Sequence, residues 1–192
     1  MKDSVDKHHR RSIRLRGYDY AQAGVYFVTI VTKDRACLFG EVIDGGVQLN
    51  SVGEIVCACW REIPRYFSNV VADEFIVMPN HFHGVIFINV GARHAVPLPG
   101  SSERFGKPLP GSLPTIVGSF KAAVTKKINQ LRCTPGATVW QRNYYEHIVR
   151  GENEIERIRE YVANNPLHWA MDRENPFQSV DGRRKPVVSW EA

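Results

Sequence analysis

The chain has 192 residues, of which 43% are hydrophobic and 23% charged, as in an ordinary soluble globular protein large enough for one well-packed domain. No apolar run reaches the length of a membrane span, and no apolar segment follows the basic amino terminus, so we expect a cytoplasmic protein that contacts no membrane. The four cysteines show no C-x-x-C spacing, which favours reduced, structural thiols.

The net charge of +5 is compatible with an anionic partner, and its distribution says more than its size. Residues 1–16 read as a flexible basic arm that could order on a phosphate backbone. A second basic cluster lies on a predicted helix, and two tyrosines near the arm could stack on unpaired bases. The predicted nucleic-acid contacts are Arg10, Arg11, Arg14, Arg16, Tyr18, Tyr20, Lys121, Lys126 and Lys127. A charge run is also typical of a merely solvated face.

The first half of the chain predicts a strand, a hairpin and a helix. Residues 24–32 are β-branched and aromatic, as in a central strand, and residues 37–49 with their Gly and Asp-Gly-Gly signals suggest a short hairpin. Ser51 as N-cap, with Glu54 three residues later, forms a capping box that starts a helix. Pro64 marks the end of that helix or a kink in it.

The second half begins with an apolar segment, residues 75–88, which Pro79 interrupts. Because proline cannot donate to a strand ladder, this segment is either one strand with a bulge or two strands joined by a tight turn. Residues 91–113 are a long Gly/Pro-rich loop. A helix over residues 114–131, a strand over 140–149 and a helix over 152–164, which Pro166 ends, complete the predicted elements.

This order of elements predicts an α+β fold. Helices that alternate with strands and need one face covered suggest a central antiparallel sheet with helices packed on it, in a ferredoxin-like sandwich. We expect residues 17–170 to form a single domain and residues 171–192 to form a carboxyl-terminal tail.

The most informative stretch contains His81 and His83, separated by Phe82. Side chains alternate faces along a strand, so both imidazoles point one way and Phe82 points into the core. Two imidazoles about 6.5–7 Å apart along a strand can converge on one ion, and imidazole is the commonest metal ligand. The alternative is a pair of polar residues on the wet face of an edge strand.

The last predicted helix carries Tyr161 and, four residues later, Asn165. These two side chains lie within about 40° of each other on one edge of the buried stripe. Two imidazoles and an amide oxygen suit Mg²⁺ or Mn²⁺, and a tyrosine offers an oxygen nucleophile. A core-boundary tyrosine and a helix-ending asparagine are the structural alternative.

Several residues compete for these roles. Tyr144 and Tyr145 are rival nucleophiles, although they lie on a predicted strand and lack an amide at the helical offset. His147 and His168 are rivals for a third metal ligand.

Taken together, these motifs resemble a known family. The segment Met78-Pro-Asn-His-Phe-His-Gly resembles the HUH motif of single-tyrosine transposases, and it is most similar to the branch called REP-associated tyrosine transposases. Segments similar to that branch include Trp140-Gln-Arg-Asn-Tyr-Tyr-Glu-His and Tyr161-Val-Ala-Asn-Asn-Pro. The resemblance covers about residues 10–170 in the same order and spacing.

The resemblance implies a ferredoxin-like nuclease that acts on single-stranded DNA at palindromic hairpins. It implies that His81, His83 and Asn165 bind a divalent metal, and that Tyr161 attacks the scissile phosphate to form a 5′-phosphotyrosine and a free 3′-hydroxyl. The family includes homodimers as well as monomers. Two alternatives stay open: a non-catalytic nucleic-acid-binding module on the same fold, and a zinc hydrolase, which the lack of an H-E-x-x-H motif disfavours.

Overall fold

The structure, a computed structural model, describes residues 18–89 and 109–177. The strands are β1 (Gly24–Val31), β2 (Gly40–Ile43), β3 (Gly46–Leu49), β4 (Val70–Val77), β5 (His81–Ile88) and β6 (Tyr145–Val149). The helices are α1 (Ser51–Arg61), α2 (Ile63–Tyr66), α3 (Leu113–Arg132) and α4 (Glu152–Asn164), and 3-10 segments span Lys33–Arg35 and Asn165–Met171. No helix in the described ranges is long and apolar enough to cross a lipid bilayer.

Four strands form the central sheet in the spatial order β4-β5-β1-β6, and every neighbouring pair is antiparallel. Helix α1 lies between β1 and β4 in the chain, and α3 lies between β5 and β6. When the β2–β3 hairpin is left aside, this order of strands and connecting helices is that of the ferredoxin-like fold. The predicted α+β, ferredoxin-like fold is therefore confirmed, and β2 and β3 form a separate hairpin between β1 and α1.

The two faces of the sheet are covered by different helices. On one face, which we call the α1/α3 face, a large core joins Phe82 of β5 to Trp60 of α1 and Phe120 of α3. On the other, which we call the α4 face, Ile158 and Val162 of α4 pack in a small cluster with Phe27, Val85 and Val149. Strand alternation decides which residue of β5 belongs to which face.

Local signals were confirmed with shifts of a few residues. The apolar segment around Pro79 is two strands, β4 and β5, joined by a tight turn in which the Met78 backbone N–H donates to the His81 carbonyl at 2.8 Å. The prediction that Ser51 caps α1 is wrong. The cap is Asn50, because its backbone is still extended whereas Ser51 is already helical. The Asn50 side-chain oxygen accepts from the backbone N–H groups of Val52 and Gly53.

The segment after α4 departs furthest from expectation. The sequence predicts a tail from residue 171, but residues 172–177 continue directly from the 3-10 segment. Asp172 contacts His81 at the start of β5, and the Glu174 carbonyl accepts from Asn80 just before it. Glu174 is buried, and its carboxylate accepts from the Arg35 side chain at 2.8 Å. These residues therefore pack against the domain beside His81. The amino-terminal arm and residues 91–108 of the predicted loop lie outside the described residues.

Candidate metal and nucleophile site

His81 and His83 lie at the start of β5 on the α4 face. Both are buried, and their ring centroids are 4.6 Å apart. They point the same way because they are two residues apart on a strand, whereas Phe82 points into the α1/α3 core, as the sequence predicts. The tight turn at residues 78–80 places them at the sheet's end, where neighbouring segments can reach them.

A carboxylate that the sequence analysis missed completes this pair. Asp172 Oδ2 lies 3.8 Å from His81 Nε2, and ligand atoms of His81, His83 and Asp172 all lie within 4.8 Å of one another. Asp172 follows the 3-10 segment in an irregular stretch, where no periodic pattern marks a residue as facing the core. Asp172 is identified by its distance to the two histidines, which the sequence alone does not reveal.

The donor set fits a divalent metal ion. Within the described part of the chain, His81 Nε2 and Asn165 Oδ1 are both buried and have no partner at hydrogen-bonding geometry, although buried polar atoms normally have one. Asn165 is nevertheless close enough to oppose desolvation, which lowers the pKa of His81 and raises that of Tyr161. Two imidazoles, a carboxylate and an amide oxygen are ligand types that divalent ions accept. A cation among them would satisfy both orphaned atoms.

Tyr161 lies beside the histidines of its own chain. Its hydroxyl is 3.4 Å from His83 Nε2, and its ring packs edge-on against both His83 and Phe27. Helix α4 presents it to the sheet because Ile158 and Val162, on the neighbouring helical face, are buried in the small core. His83 Nδ1 is held in turn by the Thr29 hydroxyl at 2.8 Å.

Burial controls the protonation of these groups. Desolvation lowers the pKa of His81, against the raising effect of the Asp172 and Glu174 charges, and it lowers the pKa of His83 well below its usual value. Both rings are therefore neutral at pH 7, and neutral imidazole is the form that binds a metal. Desolvation also raises the pKa of Tyr161 to about 12, with a contribution from the Asp172 charge. The phenol needs a nearby cation or base to become a nucleophile.

The rival residues are placed elsewhere. Tyr144 packs against the α1/α3 core. Tyr145 pairs with Thr29 and so shares the α4 face with His83, but β1 lies between them, which separates the two residues by about 10 Å. His147 bonds Glu154 at 2.8 Å, and exposed His168 bonds the Asn164 carbonyl at 3.0 Å.

The predicted nucleic-acid contacts divide into three groups. Arg10, Arg11, Arg14 and Arg16 lie outside the described residues. Tyr20 is buried, with Tyr18 edge-on against it at 4.9 Å, which is at odds with a role for Tyr20 in stacking on bases. The ammonium group of Lys121 donates to the carbonyls of residues 141–143, and that of Lys127 donates to Glu62 at 3.1 Å. Lys126 is exposed.

Lys126 lines an open groove of about 540 Å³ between α3 and residues 136–142. Among the described residues, its cations are Lys121, Lys126 and Arg142, and no carboxylate lines it. Arg142 was not among the predicted contacts. Its segment lies beside the end of β1, where Thr32 and Trp140 form a bridge. The groove can attract an anionic chain at the end of the sheet that also carries His81.

Comparison with known proteins finds a relative and several solved structures that are similar to this chain. No family model matches the chain. Its structure is similar to that of a REP-associated tyrosine transposase bound to a REP hairpin (TM-score 0.48, 17% identity, 80% of this chain and 72% of that one). It is also similar to a candidate transposase from Deinococcus radiodurans (TM-score 0.44, 16% identity, 79% of this chain and 97% of that one). An uncharacterised protein of Haemophilus influenzae is 44% identical over 172 residues, which cover 86% of this chain and 93% of that protein. At this identity and coverage, the chain belongs to the same family as the Haemophilus influenzae protein.

Proposed function

We propose that this protein is a metal-dependent endonuclease and strand transferase of the tyrosine transposase type, acting on single-stranded DNA at hairpins. The observation that carries the proposal is the convergence of Tyr161, from α4, with two buried histidines of β5 and with Asp172. A tyrosine packed beside a set of buried metal ligands suits phosphoryl transfer better than a structural role. The motif resemblance described above leads to the same reaction.

His81, His83, Asp172 and Asn165 would hold the ion, either Mn²⁺ or Mg²⁺. When bound, such an ion polarises the scissile phosphate and stabilises the charge that develops in the transition state. The chain's own contribution is to keep both imidazoles neutral through burial and to exclude water from the histidines, which are at most 4% exposed.

The proposed step exchanges one phosphate ester for another. The Tyr161 hydroxyl oxygen attacks phosphorus, the new O–P bond forms, and the bond from phosphorus to the 3′ oxygen breaks. The phenol proton leaves to a base in the site, and the departing 3′ oxygen takes up a proton. Because no water is consumed, the 3′-hydroxyl can later attack the phosphotyrosine and rejoin the strand.

One chain holds both halves of the proposed site. The Tyr161 hydroxyl is 3.4 Å from a histidine of the same chain, so a second copy is not needed to bring the nucleophile to the metal ligands. A homodimer, if it forms, would serve another purpose in this proposal. The basic groove at Lys126 and Arg142, together with the amino-terminal arm, would contact phosphates outside the cleavage point.

Covalent capture tests the proposal. Wild-type protein, Mn²⁺ and a labelled single-stranded hairpin should give a protein–DNA adduct that survives a denaturing gel, and a chelator should abolish it. Tyr161→Phe should form no adduct, whereas Tyr66→Phe, at a tyrosine that is 77% exposed and outside the site, should match wild type. An adduct that survives in Tyr161→Phe and is lost in Tyr145→Phe would contradict the proposed nucleophile.

The basic groove favours a second candidate function, a non-catalytic nucleic-acid-binding module. Such a module would bind DNA with equal affinity after chelation and after His83→Ala, and would form no adduct. Both functions predict that Arg142→Gln lowers the slope of log affinity against log salt by about one, as expected for one lost phosphate contact. The charge-matched control Arg65→Gln, at an exposed position of helix α2, should leave the slope unchanged.

A further inference from the structure

The side chain of Asn80, in the turn before β5, has all its hydrogen-bonding groups engaged although it is completely buried. Its amide nitrogen donates to the backbone carbonyls of Arg35, at 3.1 Å, and Glu174, at 2.6 Å. Its Oδ1 lies 2.9 Å from His81 Nδ1. Because carbonyl oxygens only accept hydrogen bonds, the two contacts of the NH₂ group decide which way round the amide sits.

This orientation selects the tautomer of His81. Since Asn80 Oδ1 can only accept, the proton of the neutral ring belongs on Nδ1, and Nε2 carries a lone pair. Among the described residues, Nε2 of His81 is one of the buried atoms without a hydrogen bond, and it lies 3.8 Å from Asp172 Oδ2. Asp172 by itself favours the opposite tautomer, with the proton on Nε2, which would block that atom as a ligand. Asn80 opposes this preference.

The same side chain also holds the segment that carries Asp172. Asn80 donates to the carbonyl of Glu174, two residues after Asp172. The Glu174 carboxylate in turn accepts a hydrogen bond from the Arg35 side chain at 2.8 Å. The Glu174 backbone N–H donates to Asp172 Oδ1 at 2.7 Å. This contact turns the other carboxylate oxygen, Oδ2, towards His81.

We infer that Asn80 is a positioning residue that couples the His81 tautomer to the docking of the Asp172 segment, so that nitrogen lone pair and carboxylate face the ion together. The inference rests on the proposed function in that His81 Nε2 is taken as a metal ligand. Outer hydrogen bonds of this kind typically change metal affinity by about 10–100-fold. The contacts with the Arg35 and Glu174 carbonyls can be removed while the contact with His81 is kept, which makes the coupling testable.

The first measurement uses metal-free protein labelled with ¹⁵N, in which long-range proton–nitrogen NMR correlations report which ring nitrogen carries the proton. Wild type should show His81 protonated on Nδ1. Asn80→Ala should move the proton to Nε2, towards Asp172. The matched control Asn153→Ala, at an exposed position on α4, should leave the His81 pattern unchanged.

The second measurement is Mn²⁺ affinity by titration calorimetry. Asn80→Ala should bind Mn²⁺ about 10–100-fold more weakly than wild type. Asn80→Asp in its ionised form can still accept from His81 Nδ1 but has no donor for the Arg35 and Glu174 carbonyls, so it should keep the tautomer and still lose Mn²⁺ affinity. Arg35→Gln, which loosens Glu174 without touching His81, should keep the tautomer and weaken Mn²⁺ binding to a smaller extent.

Either of two results would overturn the inference: wild-type His81 protonated on Nε2 without metal, or an Asn80→Asp variant that binds Mn²⁺ as wild type does. If Asn80→Ala fails to fold, the tautomer of wild-type His81 and the Mn²⁺ affinity of Asn80→Asp still test the inference. The tautomer is read without metal or DNA, so a wild-type protein that forms no Tyr161 adduct would refute the proposed function while leaving this result valid.

Discussion

The two faces of the central sheet are built on opposite principles although they share the strand β5. On the α1/α3 face, Phe82 packs between Trp60 and Phe120 with ring centroids 4.6 and 5.2 Å away. On the α4 face, one residue to either side of Phe82, two imidazoles are buried next to a carboxylate. A single residue step along a strand therefore separates the groups that stabilise the fold from the groups proposed to perform chemistry.

The unequal size of the two apolar cores explains how the candidate site can contain buried polar atoms. Burying imidazole, amide and carboxylate groups without full hydrogen bonding costs free energy. The α4 face has only a small apolar cluster to offset that cost, whereas the opposite face contributes most of the buried apolar surface. Substitutions on the two faces should accordingly affect different measurements.

The largest expected effect on stability is that of Phe82→Ala. Removal of a fully buried ring from the larger core should lower the free energy of unfolding by about 3–5 kcal/mol. His83→Ala, its neighbour on the other face, should cost far less because it removes a buried polar ring, yet it should abolish Mn²⁺ binding. Urea unfolding measures the first quantity and calorimetry the second. Equal destabilisation by both variants would contradict the division between faces.

Gly84→Ala should give the next largest effect, again on the α1/α3 face. A methyl group at Gly84 would lie 2.5 Å from Trp60 Cζ2, so the Trp60 ring or the strand must shift. Overpacking of this kind typically costs about 1–3 kcal/mol. The same change at Gly118, in α3, meets nothing within 4 Å and should stabilise the helix by about 0.5–1 kcal/mol. Thermal unfolding of the two variants should move in opposite directions.

Asp172→Asn should act on metal binding rather than on folding. The change keeps the shape of the side chain but removes the negative charge that faces His81, so we expect Mn²⁺ affinity to fall about tenfold or more. The free energy of unfolding without metal should stay within about 0.5 kcal/mol of wild type, because no apolar contact is lost. Asp44→Asn, in the exposed β2–β3 turn, serves as the charge-matched control for the titration.

The smallest effect concerns the ion pair that ties α4 to the edge strand β4. The Arg159 side chain donates two hydrogen bonds to Asp73 Oδ2, at 2.9 and 2.6 Å, but it is 42% exposed. Arg159→Ala should therefore cost no more than about 1 kcal/mol after solvent screening. If urea unfolding shows a loss several times larger, α4 depends on this pair more than on its small apolar cluster.

Much of the site could be predicted from sequence because it rests on local periodicities. The alternation of a strand places His81 and His83 on one face, and the four-residue repeat of a helix puts Tyr161 and Asn165 together. Both rules act over a few residues and do not depend on what lies opposite. The tight turn at Pro79 was one of two readings, and the structure selected it because β4 pairs along β5.

Other features could not be read from local rules. Asp172 and Glu174 follow the last helix in an irregular segment whose conformation is decided by the contacts it finds, among them Arg35 and Asn80. Lys121 was predicted to contact phosphates, but its ammonium group donates to three carbonyls of a segment about twenty residues further along the chain. Such contacts join parts of the chain that no periodic pattern connects.

The sequence by itself determined the order of the elements, the ferredoxin-like class and the two halves of the proposed site, since each follows from hydrophobic period and turn chemistry over short distances. Only the tertiary structure decided that the two halves meet within one chain, that the Asp172 carboxylate lies beside them, and that Asn80 contacts His81. The reason is physical: a hydrogen bond between residues 80 and 174 depends on the packing of the whole domain, and no local preference encodes it.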